Sequence, residues 1–123
     1  MTTLKIGIMT GEQYKARTLA IARGEMTPGP EEPKVWFTSI ESVAKVLSES
    51  NRALLAVIAT EKPDSLKALA DLVGRAPSNL TRTLRTMQQY GLVRLEPRGA
   101  RSYAPRAVAD RISVDLPLEA QAV

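Results

Sequence analysis

The segment 65–93, SLKALADLVGRAPSNLTRTLRTMQQYGLV, decides the fold. Its first part places Leu66, Leu69, Ala70 and Val73 at helical spacing behind Ser65, a residue type whose hydroxyl caps helix starts. Gly74 then supplies the left-handed residue on which helices commonly stop. After Arg75 and Ala76, Pro77 suits the first position of a new helix, where its missing N–H is not needed. That second helix is expected to run to Tyr90, with Gly91 closing it. Two helices therefore meet across the tight turn Gly74-Arg75-Ala76.

The second helix carries its own functional signal. On a helical wheel Leu80, Leu84 and Met87 share one side. Ser78, Arg82, Arg85 and Gln89 share the opposite side, with Asn79, Thr81 and Thr86 on the flanks. Those exposed types hydrogen-bond base edges and phosphates. An ordinary surface helix mixes in glutamate, whereas residues 76–93 contain no acid. Between Arg75 and Arg106 lie seven arginines (Arg75, Arg82, Arg85, Arg94, Arg98, Arg101, Arg106) against Glu96 alone, a net +6 in a chain of net +4. A basic segment on a neutral-to-acidic body is the electrostatic footprint of a nucleic-acid binder.

Past Gly91 the period changes. Leu92-Val93-Arg94-Leu95 and Ser102-Tyr103-Ala104 flank Glu96-Pro97-Arg98-Gly99-Ala100-Arg101, which reads as a hairpin with a turn-rich basic tip. Tyr103 suits either a core position or a phosphate donor. Ile112, Val114 and Leu116 alternate with Ser113 and Asp115, giving a last strand before a loose tail.

On the N-terminal side, Ser50 or Asn51 is expected to cap a helix burying Leu54, Leu55 and Ile58 and ending before Pro63. Thr38 and Glu41 form a capping box ahead of Ile40, Val43, Ala44 and Leu47. Further out, Val35-Trp36-Phe37 is a short strand candidate, with Trp36 beside Phe37 as a core or dimer anchor. Pro28, Gly29, Pro30 and Pro33 make a stiff loop. Thr10 and Gln13 frame a helix with a thin apolar stripe (Ala16, Leu19, Ala20) that Gly24 closes, and Leu4, Ile6 and Ile8 alternate as a strand.

The chain has 123 residues, one domain's worth, and contains neither cysteine nor histidine. That excludes disulfides, thiolate nucleophiles, Cys/His zinc sites and the commonest general base. Gly7 and Gly11 are followed by neither a third glycine nor Lys-Ser/Thr, so a phosphate loop is not indicated. No close pair of acids stands out, and an enzyme is not expected. No apolar run approaches the roughly 20 residues of a membrane span, and none resembles a signal-peptide core, so a cytoplasmic location is expected.

Leu66-Lys67-Ala68-Leu69-Ala70, Gly74, Pro77-Ser78-Asn79-Leu80-Thr81-Arg82-Thr83-Leu84 and Tyr90-Gly91-Leu92-Val93 together resemble the MarR/ArsR-type winged helix-turn-helix regulators. The chain is similar also to short predicted prokaryotic DNA-binding proteins with a strand-helix N-terminal extension, some of them encoded as antitoxins. The resemblance implies a mainly α (α+β) winged helix-turn-helix with a small sheet. Residues 1–37 would form the extension, 38–116 the DNA-binding domain and 117–123 a tail. It implies a homodimeric repressor of transcription that binds double-stranded DNA. Arg82 and Arg85 would read bases, with Ser78, Asn79, Thr81 and Gln89 fixing register. Arg98 and Arg101 would reach phosphates or the minor groove, and Arg75, Pro77 and Thr86 complete the candidate contacts. No cofactor or metal is expected, and the Cys/His sites of metal-sensing relatives are missing. The alternative is an antitoxin-type module that neutralises a protein partner. The central core is expected to close without the outer strands and the thin helix, leaving these for a second subunit or a partner.

Overall fold

The computed structural model describes residues 2–116 and Leu118. Within them the alternation at Leu4, Ile6 and Ile8 yields strand β1 (Thr3–Ile8). Helix α1 (Gly11–Ala22) follows, with Thr10 as its cap: the Thr10 hydroxyl accepts the Gln13 N–H at 3.1 Å, and Gln13 Oε1 accepts the Thr10 N–H at 2.9 Å. α1 buries no residue, as its thin stripe implies. It crosses over to β2 (Val35–Phe37), which pairs parallel to β1.

The far end of the chain returns to the same place. β5 (Arg111–Asp115) pairs parallel to the other side of β1, with Leu4 beside Ile112 and Ile6 beside Val114. The sheet order is β2-β1-β5. This corrects the expectation that the outer strands await a partner. They pair with one another, β1 taking a neighbour on each side, while the outer edges of β2 and β5 stay unpaired among the described residues. Leu116 lies beyond the strand, and of the expected tail 117–123 only Leu118 falls among the described residues.

Four further helices fill the middle: α2 (Ile40–Val46), α3 (Glu49–Glu61), α4 (Leu66–Val73) and α5 (Pro77–Gln89). Two caps differ from the sequence reading. α2 is capped by Ser39 with Ser42, not Thr38 with Glu41, and α3 by Ser48, not Ser50 or Asn51. Ile40 thereby becomes the first helical residue of α2 and stands 47% exposed, while Val46 supplies the buried contact. Ser65 caps α4, Gly74 ends it at φ +69°, and Pro77 opens α5.

Ile6 of β1 and Phe37 of β2 are buried in one apolar cluster with Leu54, Ile58, Leu69, Leu80, Leu84 and Met87 of the helices. Burying each such side chain contributes roughly 1.5–3 kcal/mol. The Phe37 ring stacks on Tyr90 at 4.1 Å between centroids, so the sheet braces the C-terminal end of α5. The core of the central helices is therefore continuous with the N-terminal segment. The opposite face of the sheet is covered by Trp36 and Pro33, which lie against Gly7. Arg17 of α1 lies over the Trp36 ring at 5.2 Å and pairs with Glu32 of the proline-rich loop.

β3 (Val93–Arg98) and β4 (Ser102–Ala107) form an antiparallel hairpin. It is longer than the sequence reading allowed, since Glu96, Pro97 and Arg98 belong to the strand rather than the turn. Both strands of a two-stranded ribbon are edges, so Pro97 and Pro105 can sit in them without breaking a ladder bond. Arg106 fastens the hairpin to the α3–α4 connection through Pro63 O at 2.7 Å and Asp64 Oδ1 at 3.5 Å. The fold is mixed α/β, with five helices and two small sheets among the described residues. No described helix is long and apolar enough to cross a membrane.

Candidate nucleic-acid interface

α5 buries Leu80, Leu84 and Met87, which leaves Ser78, Asn79, Arg82, Arg85 and Gln89 exposed along the outer ridge. The wheel drawn from sequence is the one the helix adopts. Thr81 and Thr86 are half-buried on its flanks, their hydroxyls donating to Pro77 O at 2.9 Å and Arg82 O at 3.2 Å. Ala76 occupies the N-cap and provides no side-chain cap, so the first-turn N–H groups of Ser78 and Asn79 remain open to an external acceptor.

The arginines of the basic window fall into separate environments. Arg75 is folded back along α5, its Nε donating to Asn79 Oδ1 at 2.9 Å and Nη2 to Thr83 Oγ1 at 3.4 Å. Its Nη1 is buried with no hydrogen-bond partner among the described residues, and the two bonds along α5 make Arg75 a brace at the turn rather than a projecting cation. Arg106 is a tether, as described above. Glu96 lies between Arg94 and Arg98, at 3.4 Å and 3.3 Å, which leaves the trio with one net positive charge. Arg82, Arg85 and Arg101 are the exposed members for which no acid among the described residues lies within ion-pair distance.

Packing brings helix and hairpin together. A groove of about 360 Å³ runs between them, lined by Arg85 and Thr81 of α5, Lys67 of α4, and Arg101 and Tyr103 of the hairpin. Tyr103 is 53% exposed, so it is a groove residue and not a core one. On the other flank of α5, Arg82 shares a second groove with Lys45 and Asn51. Sequence reading missed Lys67 and Lys45. Both are solvent-facing positions of other helices, and only tertiary packing sets them beside α5. The result is a ridge of hydrogen-bonding side chains flanked on both sides by cations. Guanidinium forks in such a place bond phosphates or purine edges bidentately, and lysines add point charges.

No curated protein matches the chain. Residues 46–114, from the last residue of α2 into β5, match the HVO_A0114 family. That span covers more than half of the sequence, including α3, α4, α5 and the whole hairpin. The chain belongs to the HVO_A0114 family.

Proposed function

We propose that the chain is a sequence-specific double-stranded DNA-binding regulator of transcription, a repressor that acts as a homodimer. On this reading α3, α4, α5 and the hairpin form a winged helix-turn-helix. α5 enters the major groove, α4 crosses behind it, and the β3–β4 hairpin is the wing over the backbone. The observation that carries the reading is the ridge of α5. It exposes Ser78, Asn79, Arg82, Arg85 and Gln89 with no acid among them, and Arg101 and Lys67 lie across the adjoining groove.

The roles divide by environment. Arg82 and Arg85 read base edges, guanine being the usual arginine target, while Ser78, Asn79 and Gln89 set register. Lys67, Arg101 and Tyr103 hold phosphates beside the groove. Selection of bound duplexes from a random pool at fixed salt tests this directly. The expected result is an enriched motif whose affinity falls with salt at a slope near 0.9 per neutralised phosphate. A flat salt dependence, or no enrichment over non-specific duplex, refutes the reading.

A further inference from the structure

β5 is an outer strand of its sheet, bonded to β1 on one side and, among the described residues, open on the other. Arg111 donates its N–H to Thr2 O at 3.2 Å. Successive residues of a strand turn their backbone groups to opposite sides, so Arg111, Ser113 and Asp115 bond toward β1. Ile112 and Val114 turn theirs to the open edge. Val114 is 41% exposed, and the neighbouring Leu116 47%. An edge of this kind is a template for another strand unless something blocks it.

The order of side chains on β5 indicates which strand fits. Arg111-Ile112-Ser113-Val114-Asp115 is complementary to itself when reversed, with a cation at one end, an anion at the other, an apolar residue inside each and serine at the centre. We propose that β5 is where a second copy of the chain docks, by antiparallel pairing of β5 with β5 of the partner subunit across a two-fold axis at Ser113. Arg111 then lies opposite Asp115 of the partner subunit, and Asp115 opposite the partner's Arg111. Ile112 lies opposite the partner's Val114, and the N–H and C=O groups that face the open edge bond one another reciprocally. A two-fold contact of this sort closes on itself and builds no filament. β2 at the other edge offers only Val35, Trp36 and Phe37, with no charge to set a register.

The axis stands perpendicular to the sheet, so both copies present the same face to the same side. That face is the one on which Ile6 meets the helices. Both α5 helices therefore lie on one side of a continuous sheet, as two copies gripping one duplex require. This last consequence alone rests on the DNA-binding reading. The mass measurements below do not, so the two can fail separately.

The test is solution mass by light scattering and sedimentation on the full chain. Wild type is expected to be dimeric. Val114→Pro removes an N–H that faces the open edge and leaves the bonds to β1 in place, so it is expected to be a folded monomer. Arg111→Asp and Asp115→Arg each set like charges opposite one another at both ends, and should raise the dimer dissociation constant on the order of tenfold. The double variant R111D/D115R restores both pairs and the dimer. An equimolar mixture of R111D and D115R chains should give a heterodimer. A wild-type chain that stays monomeric up to its solubility limit overturns the proposal, as does a dimer that folded V114P leaves intact. A dimer that R111D leaves unchanged, or that the double variant fails to restore, overturns the register.

Discussion

Arg82 and Arg85 share the ridge of α5 yet meet different neighbours, Lys45 and Asn51 on one flank and Lys67 with Arg101 on the other. Each is expected to act at its own position of a bound site. Arg82→Ala or Arg85→Ala should cost about 1–3 kcal/mol on the selected duplex and relax preference at particular base pairs, read by binding titrations against single-position variants. Arg101→Ala should instead weaken binding to all duplexes alike and lower the salt slope by about one. Arg98→Ala should do less, because Glu96 already neutralises part of that charge. If the hairpin variants shift sequence preference and the helix variants do not, the two roles are reversed. Gly7 makes a different kind of demand. A Cβ there would come within 2.5 Å of Trp36 Cζ3 and 2.8 Å of Pro33 Cγ. Gly7→Ala therefore forces the indole away from the sheet and from Arg17, at a cost of about 1–3 kcal/mol. The single tryptophan reports it: thermal unfolding should start earlier, with a shifted native emission. An unchanged melting curve would show that the indole moves aside freely.

At the scale of elements, α5 depends on β2 for its far end, through the stack of Phe37 on Tyr90. Phe37→Ala should cost about 3–5 kcal/mol in urea unfolding, whereas Tyr90→Phe, which keeps the ring, should stay within about 0.5 kcal/mol of wild type. Equal effects from both would mean that the stack is not what secures the helix. How much was legible in sequence follows the strength of each local pattern. α4 and α5 were readable because Leu66, Leu69, Leu80, Leu84 and Met87 keep strict helical spacing between a serine cap, a glycine stop and a proline start. The starts of α2 and α3 were misplaced because Thr38-Ser39 and Ser48-Glu49-Ser50-Asn51 offer several side chains of nearly equal capping strength. The hairpin was read short because Pro97 resembles a turn residue in sequence, although an edge strand tolerates it. The parallel sheet was not legible as a sheet: its strands were found singly, but no local signal tells β1 that its neighbours lie about thirty and a hundred residues away. The exposed ridge of α5 was read correctly for the same reason as its buried one. Lys45 and Lys67 were not, because their place beside it is a product of packing.

For the whole molecule, placing β1 in the middle of the sheet makes the N-terminus indispensable. Deleting residues 1–34 removes Ile6 from the core and leaves β5 without its only strand neighbour among the described residues. The truncated chain should lose its cooperative thermal transition and much of its helical circular dichroism. A sharp transition at near wild-type temperature would show that α3 to α5 and the hairpin form an independent unit. The same arrangement sets an order of events during synthesis. Of the three strands the central one, β1, leaves the ribosome first, and β5 follows about a hundred residues later. Until then β1 can pair on one side alone, and its other edge stays open on a tethered chain. The helices can collapse early, since their contacts are local, but the sheet waits for β5. The sheet thus closes only once β5 has been made, and the interval in which β1 is open to stray pairing is set by the rate of elongation.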